Sequence, residues 1–399
     1  MKVTPTAEAI RIIRNNGYPY DDEEIPLGMA DGRVLAESIT ISVDIPGFDR
    51  SLKDGYAVLA EDTLTATPKS PVVLRVCGTI PMGYGETPVL KAKEAWGVST
   101  GGRIPRDADA VVMHEAVSFD EALGTITITH AVSPHRDIVH KGEDFASGTE
   151  VFKKGWTVRI QDIGVLAAVG KIKVKVFKTP VVGIISTGSE IIPAELEPRD
   201  GEVREVNSHL ISGFLRRQGI VPKVYGIIKD EPELLSVLLH QAAHVCDMVI
   251  ISGGSAKSAH DLTNEIICRL GGLDCPGIMV GPGRPTLVRF VYGTPVIALP
   301  GHPTSAFLIL VLAISQLLQG LKGSPCQKHY KQTVQMAIPL PSYTDRDQYF
   351  PVNIRNGMAT PIGGISGSLS TLLNSDGIVH VPIGKSGLTQ GEEVEVIVW

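Results

Sequence analysis

From Pro180 onward the chain alternates short, continuous apolar runs with longer segments whose apolar residues recur at helical spacing. Val181-Val182-Gly183-Ile184-Ile185 is apolar throughout, as a strand buried on both faces requires. Residues 208–217 have helical spacing and stop at Gly219. Residues 221–228 read as a second strand, and residues 231–244 as a helix with Pro232 in its first turn. Residues 247–251 form a third strand, 261–270 a helix, 295–299 a further strand and 303–318 a long helix. Repeated strand–helix units predict a mostly parallel sheet with helices on both faces.

The rest of the chain has a different rhythm. Residues 6–14 carry apolar positions at helical spacing behind a Thr cap. Runs such as Val72-Val73-Leu74-Arg75-Val76 and Thr125-Ile126-Thr127-Ile128 alternate with Gly and Pro turns, which predicts a small β-rich domain over about residues 45–138. Residues 161–168 read as a short helix ended by Gly170. The strand expected at 172–177 could pair with the N-terminal helix. Helical patterning disappears after about residue 328, and Glu392-Glu393-Val394-Glu395-Val396-Ile397-Val398 alternates, so residues 330–399 predict a small β-barrel or sandwich.

Composition adds limits. At 399 residues, and roughly 150 residues per domain, two to four domains are expected. Charge is nearly balanced, 37 Lys and Arg against 43 Asp and Glu, with no long basic run. That speaks against nucleic acid and anionic membrane as partners, so an anionic ligand needs local donors. Five cysteines without a Cys-x-x-Cys pair argue against a disulfide framework or a structural zinc site. Met1-Lys2-Val3-Thr4-Pro5 carries no export signal, and the apolar run 306–318 is too short and interrupted to span a bilayer. A soluble, cytoplasmic protein is expected.

In doubly wound sheets, ligands bind beyond the carboxyl ends of the strands. Here three strand ends run into Ser186-Thr187-Gly188-Ser189-Glu190, Ser252-Gly253-Gly254-Ser255 and Leu299-Pro300-Gly301-His302-Pro303-Thr304-Ser305. Glycines let backbone N–H groups approach a ligand, and helix N-termini favour anions. One such loop is an ordinary turn; three in one sheet converge on a crevice.

These motifs, with others, resemble the MoeA / gephyrin E-domain family of molybdopterin molybdenumtransferases. The matching pieces run in order along nearly the whole chain. They include Asp54-Gly55-Tyr56-Ala57-Val58, Thr100-Gly101, Ala108-Asp109-Ala110-Val111-Val112, Lys141-Gly142-Glu143-Asp144, Asn207-Ser208 and Leu299-Pro300-Gly301-His302-Pro303-Thr304-Ser305-Ala306. The resemblance implies a multidomain α/β plus β architecture of four domains. A discontinuous N-terminal and linker domain takes 1–44 and 139–178, and a β-rich domain 45–138. A three-layer, MogA-like, molybdopterin-binding α/β domain takes 179–327, and a C-terminal β-barrel 328–399. It further implies an elongated homodimer that converts adenylylated molybdopterin and molybdate, with Mg²⁺, and releases AMP. A MogA-type adenylyltransferase and other molybdopterin-supplying proteins are implied as partners.

Carried over residue by residue, the resemblance assigns catalysis to Glu190, Asp54 and Asp261, and metal ligation to Asp54, Asp144, Glu190 and Asp230. Thr100, Gly101, Thr187, Gly188, Gly253, Gly254, Ser255, Pro282, Gly283, Arg284, Pro300, Gly301 and Ser305 are the expected substrate-binding positions. Bland readings stand beside these. Glu190 could cap a helix, Asp230 precedes Pro232 as an N-cap would, Asp54 could cap its own turn, and Glu143 and Asp144 could be turn acids. Ser366, Ser368 and Ser370 read first as solvated loop serines, and His302 as a surface residue. The chain also departs from the family pattern. Gly281-Pro282-Gly283-Arg284-Pro285 stands where many members have Lys-Pro-Gly-Lys-Pro, and His140 replaces a basic residue. An active transferase, with Arg284, Lys257 or His140 supplying the missing cation, and a non-catalytic molybdopterin-binding paralogue both fit. An adenylyltransferase fits the extra β domains poorly.

Overall fold

The computed structural model of the chain describes residues 3–4, 21–83, 85–229, 231–253, 263, 265–270, 273–274, 277–278, 286–324, 329–345, 347–363 and 368–399. The helix expected at 6–14 lies outside these residues. The chain forms two compact units. One comprises Ser38–Lys154 and Gly164–Ile172; the other comprises Met1–Glu37, Gly155–Ile163 and Lys173–Trp399.

The first unit is built on six strands: β1 (Gly55–Val58), β2 (Val72–Thr79), β3 (Glu94–Val98), β4 (Ala110–Met113), β5 (Val117–Asp120) and β6 (Thr125–Ile128). They lie in the order β4-β1-β3-β2-β6-β5, antiparallel except for β2 beside β3. The period of two seen in β6 is used as expected: Ile126 and Ile128 are buried against Leu74 and Tyr56, while Thr125 and Thr127 face outward. A short antiparallel pair, Arg50–Ser51 with Ile138–Val139, ties the loop before β1 to the segment leading into Lys141.

The second unit contains the doubly wound sheet. Its elements are β7 (Val181–Thr187), α1 (Asn207–Arg217), β8 (Val221–Ile228), α2 (Pro232–Val245), β9 (Met248–Gly253), β10 (Leu273–Asp274), β11 (Leu287–Val291), β12 (Thr294–Leu299) and the long helix α3 (Pro303–Leu321). The strand order is β8-β7-β9-β12-β11-β10, with β8, β7, β9 and β12 parallel. Strands β11 and β10 add an antiparallel edge that the apolar pattern did not predict. The continuous apolar run of β7 has a physical reason, because successive side chains serve opposite faces. Val182 and Ile184 pack with Ile211 and Leu215 of α1 and with α3, whereas Ile185 packs with Leu235 and Leu239 of α2.

Helix α3 is longer than the predicted 303–318 and contains a π-helical turn at Leu310–Ile314. At 19 residues it is long and apolar enough to cross a membrane by length and composition, contrary to the expectation from residues 306–318. Yet 83% of that window is buried inside the fold, as a core helix's would be.

The remaining strands close a five-stranded barrel, which settles the barrel-or-sandwich alternative. They are β13 (Lys331–Met336), β14 (Gln348–Arg355), β15 (Met358–Pro361), β16 (Gly377–Val381) and β17 (Glu393–Val398), in the order β13-β15-β14-β16-β17. A short helix, α4 (Leu369–Asn374), corrects the expectation that no helix follows residue 328. Trp399 meets Phe307 of α3 edge to face, ring centres 5.0 Å apart. The strand at Lys173–Phe177 pairs antiparallel with Asp22–Pro26, a charged strand with one buried position that carries almost no apolar signal.

Asp162 anchors the turn that enters the helix Ile160–Ala168. Its side chain is 3% exposed as a residue and accepts bonds from Trp156 Nε1 (2.8 Å), the Arg159 N–H (3.0 Å), and Arg159 Nη2 (2.8 Å). Burial pushes its carboxyl upward, but the Arg159 guanidinium, Trp156 and the backbone donor outweigh it and hold it below the ordinary value. A carboxyl depressed in the folded state stabilises above its unfolded pKa, and that contribution is lost as pH falls through the folded value. Asp162→Asn is therefore expected to cost about 1–3 kcal/mol at neutral pH. The deficit should shrink once the pH drops below about 3.9, and urea titrations at both pH values check it.

Candidate functional site

The carboxyl ends of β9 and β12 are joined by one side chain. Asn207, at the start of α1 and 7% exposed, donates through Nδ2 to Ser252 Oγ (2.8 Å) and to the Gly301 carbonyl (2.8 Å). Beside it Glu205, also buried, accepts from Ser186 Oγ (3.0 Å), the Ser208 N–H (2.7 Å) and Ser208 Oγ (2.5 Å). It thus caps α1 and fixes the end of β7. Two buried polar atoms in this cluster, Asn207 Oδ1 and Thr187 Oγ1, have no hydrogen-bond partner among the described residues. Buried groups of that kind are rare in folded proteins, and at a strand end they mark positions where a ligand or water completes the bonding.

The two glycines here do different things. Gly253 pairs with Thr187 across the sheet and has φ +109°; a Cβ on it would lie 1.9 Å from the Thr187 carbonyl oxygen. Only glycine lets β9 end against β7 in this way. Gly188, φ +150°, would instead place a Cβ 2.9 Å from Glu190 Oε2 and 2.8 Å from Ile191 Cγ1. Glu190 therefore folds its carboxylate back over the glycine, exposed, in a loop that leads into the two-residue strand Ile191–Ile192. No helix starts there, so the helix-cap reading of Glu190 is wrong.

At the third strand end, Pro303 opens α3. Thr304 Oγ1 donates to the Ser368 carbonyl (3.1 Å), Ser305 is buried, and His302 is exposed as expected of a surface residue. Ser368 and Ser370 share a hydroxyl contact at 2.7 Å at the start of α4.

In the other unit the structure brings Asp54, Thr100 and Gly101 together. Asp54 Oδ1 accepts the Thr100 N–H (2.8 Å), and the Gly101 N–H donates to the Ser51 carbonyl (2.8 Å). Asp54 thus holds a neighbouring loop rather than its own turn, and its second oxygen is left toward solvent. Glu143 does cap its own turn, accepting the His140 N–H at 2.7 Å. Asp144 is exposed, tied only through its backbone N–H to the Ile45 carbonyl (3.0 Å) among the described residues.

Asp230, Gly254, Ser255, Lys257, Asp261, Gly281, Pro282, Gly283, Arg284 and Ser366 lie outside the described residues. Sequence reasoning missed Glu205 as a site residue and quoted Asn207 only as part of a motif. The signal was present: an acid three positions before Ser208, at the mouth of a helix following a glycine-ended strand.

A parallel sheet whose glycine-ended strands meet at a buried polar cluster, followed by a closed barrel, defines a multidomain α/β plus β protein. Family descriptions cover most of the chain: "MoeA N-terminal region (domain I and II)" matches residues 4–170, "Probable molybdopterin binding domain" residues 183–320, and "MoeA C-terminal region (domain IV)" residues 333–399. A molybdopterin biosynthesis MoeA protein of known structure from Pyrococcus horikoshii OT3 is 33% identical, covers 100% of both chains and superposes with a TM-score of 0.87. A Methanocaldococcus jannaschii protein named for molybdopterin biosynthesis is 30% identical over 98% of this chain and 97% of its own. Molybdopterin molybdenumtransferase 2 of Mycobacterium tuberculosis is 29% identical over 93% and 94%. The chain belongs to the MoeA family.

Proposed function

We propose that this protein inserts molybdenum into molybdopterin by taking the adenylylated form and molybdate, with Mg²⁺, and releasing AMP. The chain is a transferase of molybdenum cofactor biosynthesis, similar along nearly its whole length to relatives named molybdopterin molybdenumtransferase. The observation that carries the finer reading is the Asn207 junction. Its open Oδ1 and the open Thr187 hydroxyl offer one acceptor and one hydroxyl beside three glycine-ended strands, a fit for a polar ring bearing a phosphate.

Splitting a phosphoanhydride demands charge neutralisation and an oriented nucleophile. Mg²⁺ commonly takes one or two carboxylates, with water and phosphate oxygens completing its shell. Asp54 keeps one free oxygen, and Glu190 and Asp144 are exposed, so each fits that demand. Among the described residues, no group of three or more metal-binding side chains is preassembled. Held by any one of these acids, Mg²⁺ would offset charge on the phosphate oxygens. Asp54 meanwhile keeps the Thr100–Gly101 backbone in place, and Glu190 is the acid best placed to orient a nucleophile beside the strand ends.

The homodimer belongs to the same reading. Edge strand β8 leaves Val221 and Val224 about half exposed, next to a groove of about 670 Å³ lined by Ile191, His209, Arg216 and Val224. Purified protein given adenylylated molybdopterin and Mg²⁺ should release AMP when molybdate is added and should stop when a chelator is present. Release that ignores molybdate would reject the reading. The Gly281 and Arg284 departures are what a non-catalytic carrier would have in its favour, and binding of the adenylylated pterin without AMP release would support it.

A further inference from the structure

The unit containing Asp54 has a second concave site that neither the family descriptions nor the strand-end site accounts for. It is a pocket of about 490 Å³ lined by Phe48, Thr87, Arg103, Arg106, Asp107 and Lys141, among others. We propose that Arg103 and Arg106 form a tetrahedral-oxyanion site there, for molybdate or for the phosphate of the nucleotide ligand.

One guanidinium is held in place, and the other extends from a fixed backbone. Arg103 is half-buried, its guanidinium carbon 4.3 Å above the Phe48 ring centre. Stacking of that kind holds the planar fork while leaving its N–H edge free. Its backbone is pinned as well, by a bridge to Arg50 and by the Ser51 N–H donating to the Gly102 carbonyl (2.9 Å). The Arg106 backbone is fixed by its N–H to the Pro88 carbonyl (2.9 Å) and its carbonyl to the Leu90 N–H (2.9 Å), and its side chain is exposed.

The pairing of the charges, rather than their sum, favours an anion. Among the described residues neither guanidinium has a carboxylate partner, whereas Arg75 and Arg136 of the same unit are each salt-bridged. Asp49 is engaged, Oδ1 accepting the Lys141 N–H (2.6 Å) and Oδ2 lying 3.6 Å from His140 Nδ1. The Lys141 ammonium sits 3.3 Å from Asp44 Oδ2. The Ser147 N–H, with Lys141, holds the Asp44 carboxyl below its ordinary value, so it stays charged. Asp49 and Asp107 line the same pocket, but neither is ion-paired with either fork among the described residues. Paired guanidinium donors suit the planar edges of phosphate and similar oxyanions.

Which oxyanion is bound in the cell rests on the proposed transferase reading; binding itself does not. Calorimetry on the full-length protein at low salt, with molybdate, inorganic phosphate and AMP as probes, tests it. Arg103→Gln and Arg106→Gln should each weaken the best probe about tenfold, with the thermal midpoint unchanged. Arg103→Lys should recover only part of the loss. Phe48→Leu, which alters no charge, should also weaken binding. Preference for molybdate over AMP identifies the cargo oxyanion, and the reverse identifies the nucleotide phosphate. No binding of any probe, or affinity unchanged in both Gln variants, would overturn the site while leaving the transferase reading intact. Loss of AMP release in Glu190→Gln with this binding preserved would bear on that reading alone.

Discussion

Asp54→Asn should abolish molybdate-dependent AMP release, at least about 100-fold, while leaving the protein as stable as before. The substitution is chosen because the asparagine oxygen can still accept the Thr100 N–H that Asp54 Oδ1 accepts now. The Thr100–Gly101 loop therefore stays where it is, and only the negative charge and the second carboxylate oxygen are lost. A structural role would be retained in Asn and lost in Ala; a charge-dependent role would be lost in both. Glu190→Gln makes the matching test in the other unit, where the carboxylate rests over Gly188. Single-turnover AMP release and a thermal melt on each variant separate the two roles.

The second large effect belongs to Gly253→Ala. The clash it creates is with a backbone carbonyl, 1.9 Å away, which has no rotamer to escape into. The residue is also held at φ +109°, where a side chain is strained whatever the space. The two together should cost about 3 kcal/mol or more. Because β9 pairs with β7 through this position, the strand ends around Asn207 should part and ligand affinity should fall with stability. Gly188→Ala, also strained at φ +150°, meets the Ile191 and Glu190 side chains rather than backbone, so it should cost less stability yet displace Glu190. Urea midpoints beside ligand titrations would distinguish the two glycines. Equal effects would mean that the close approach of β9 to β7 does not organise the site.

The doubly wound sheet was legible because its elements announce themselves locally. Residues of β7, β9 and β12 are apolar in continuous runs, β8 is apolar but for Lys223, and α1, α2 and α3 follow with helical spacing. Where the partner is distant, the signal failed. Asp22–Pro26 is a strand only because Lys173–Phe177 lies beside it, and β11 carries Arg289 in mid-run, which hid it. The barrel's alternation was plain in β17, but α4 breaks a pattern otherwise read as all β. In the site, the glycines and strand-end acids could be named from the sequence. What could not be read was connection: that Asn207 ties Ser252 to Gly301, or that Asp54 reaches a loop 46 residues away. Such bonds depend on which ends the fold brings together, not on any local pattern. Glu190 shows the converse, since its neighbours allowed a helix cap and the fold chose an open loop.

The account turns on coupled chemistry at these loops, so the most direct measurement counts two products in one reaction. Purified protein is mixed with adenylylated molybdopterin, Mg²⁺ and limiting molybdate, and AMP released and molybdenum bound to the pterin are both quantified. The account predicts one AMP for each molybdenum inserted, with neither product formed by Asp54→Asn. Tight pterin binding with no AMP release, or AMP release without molybdenum on the pterin, would contradict it.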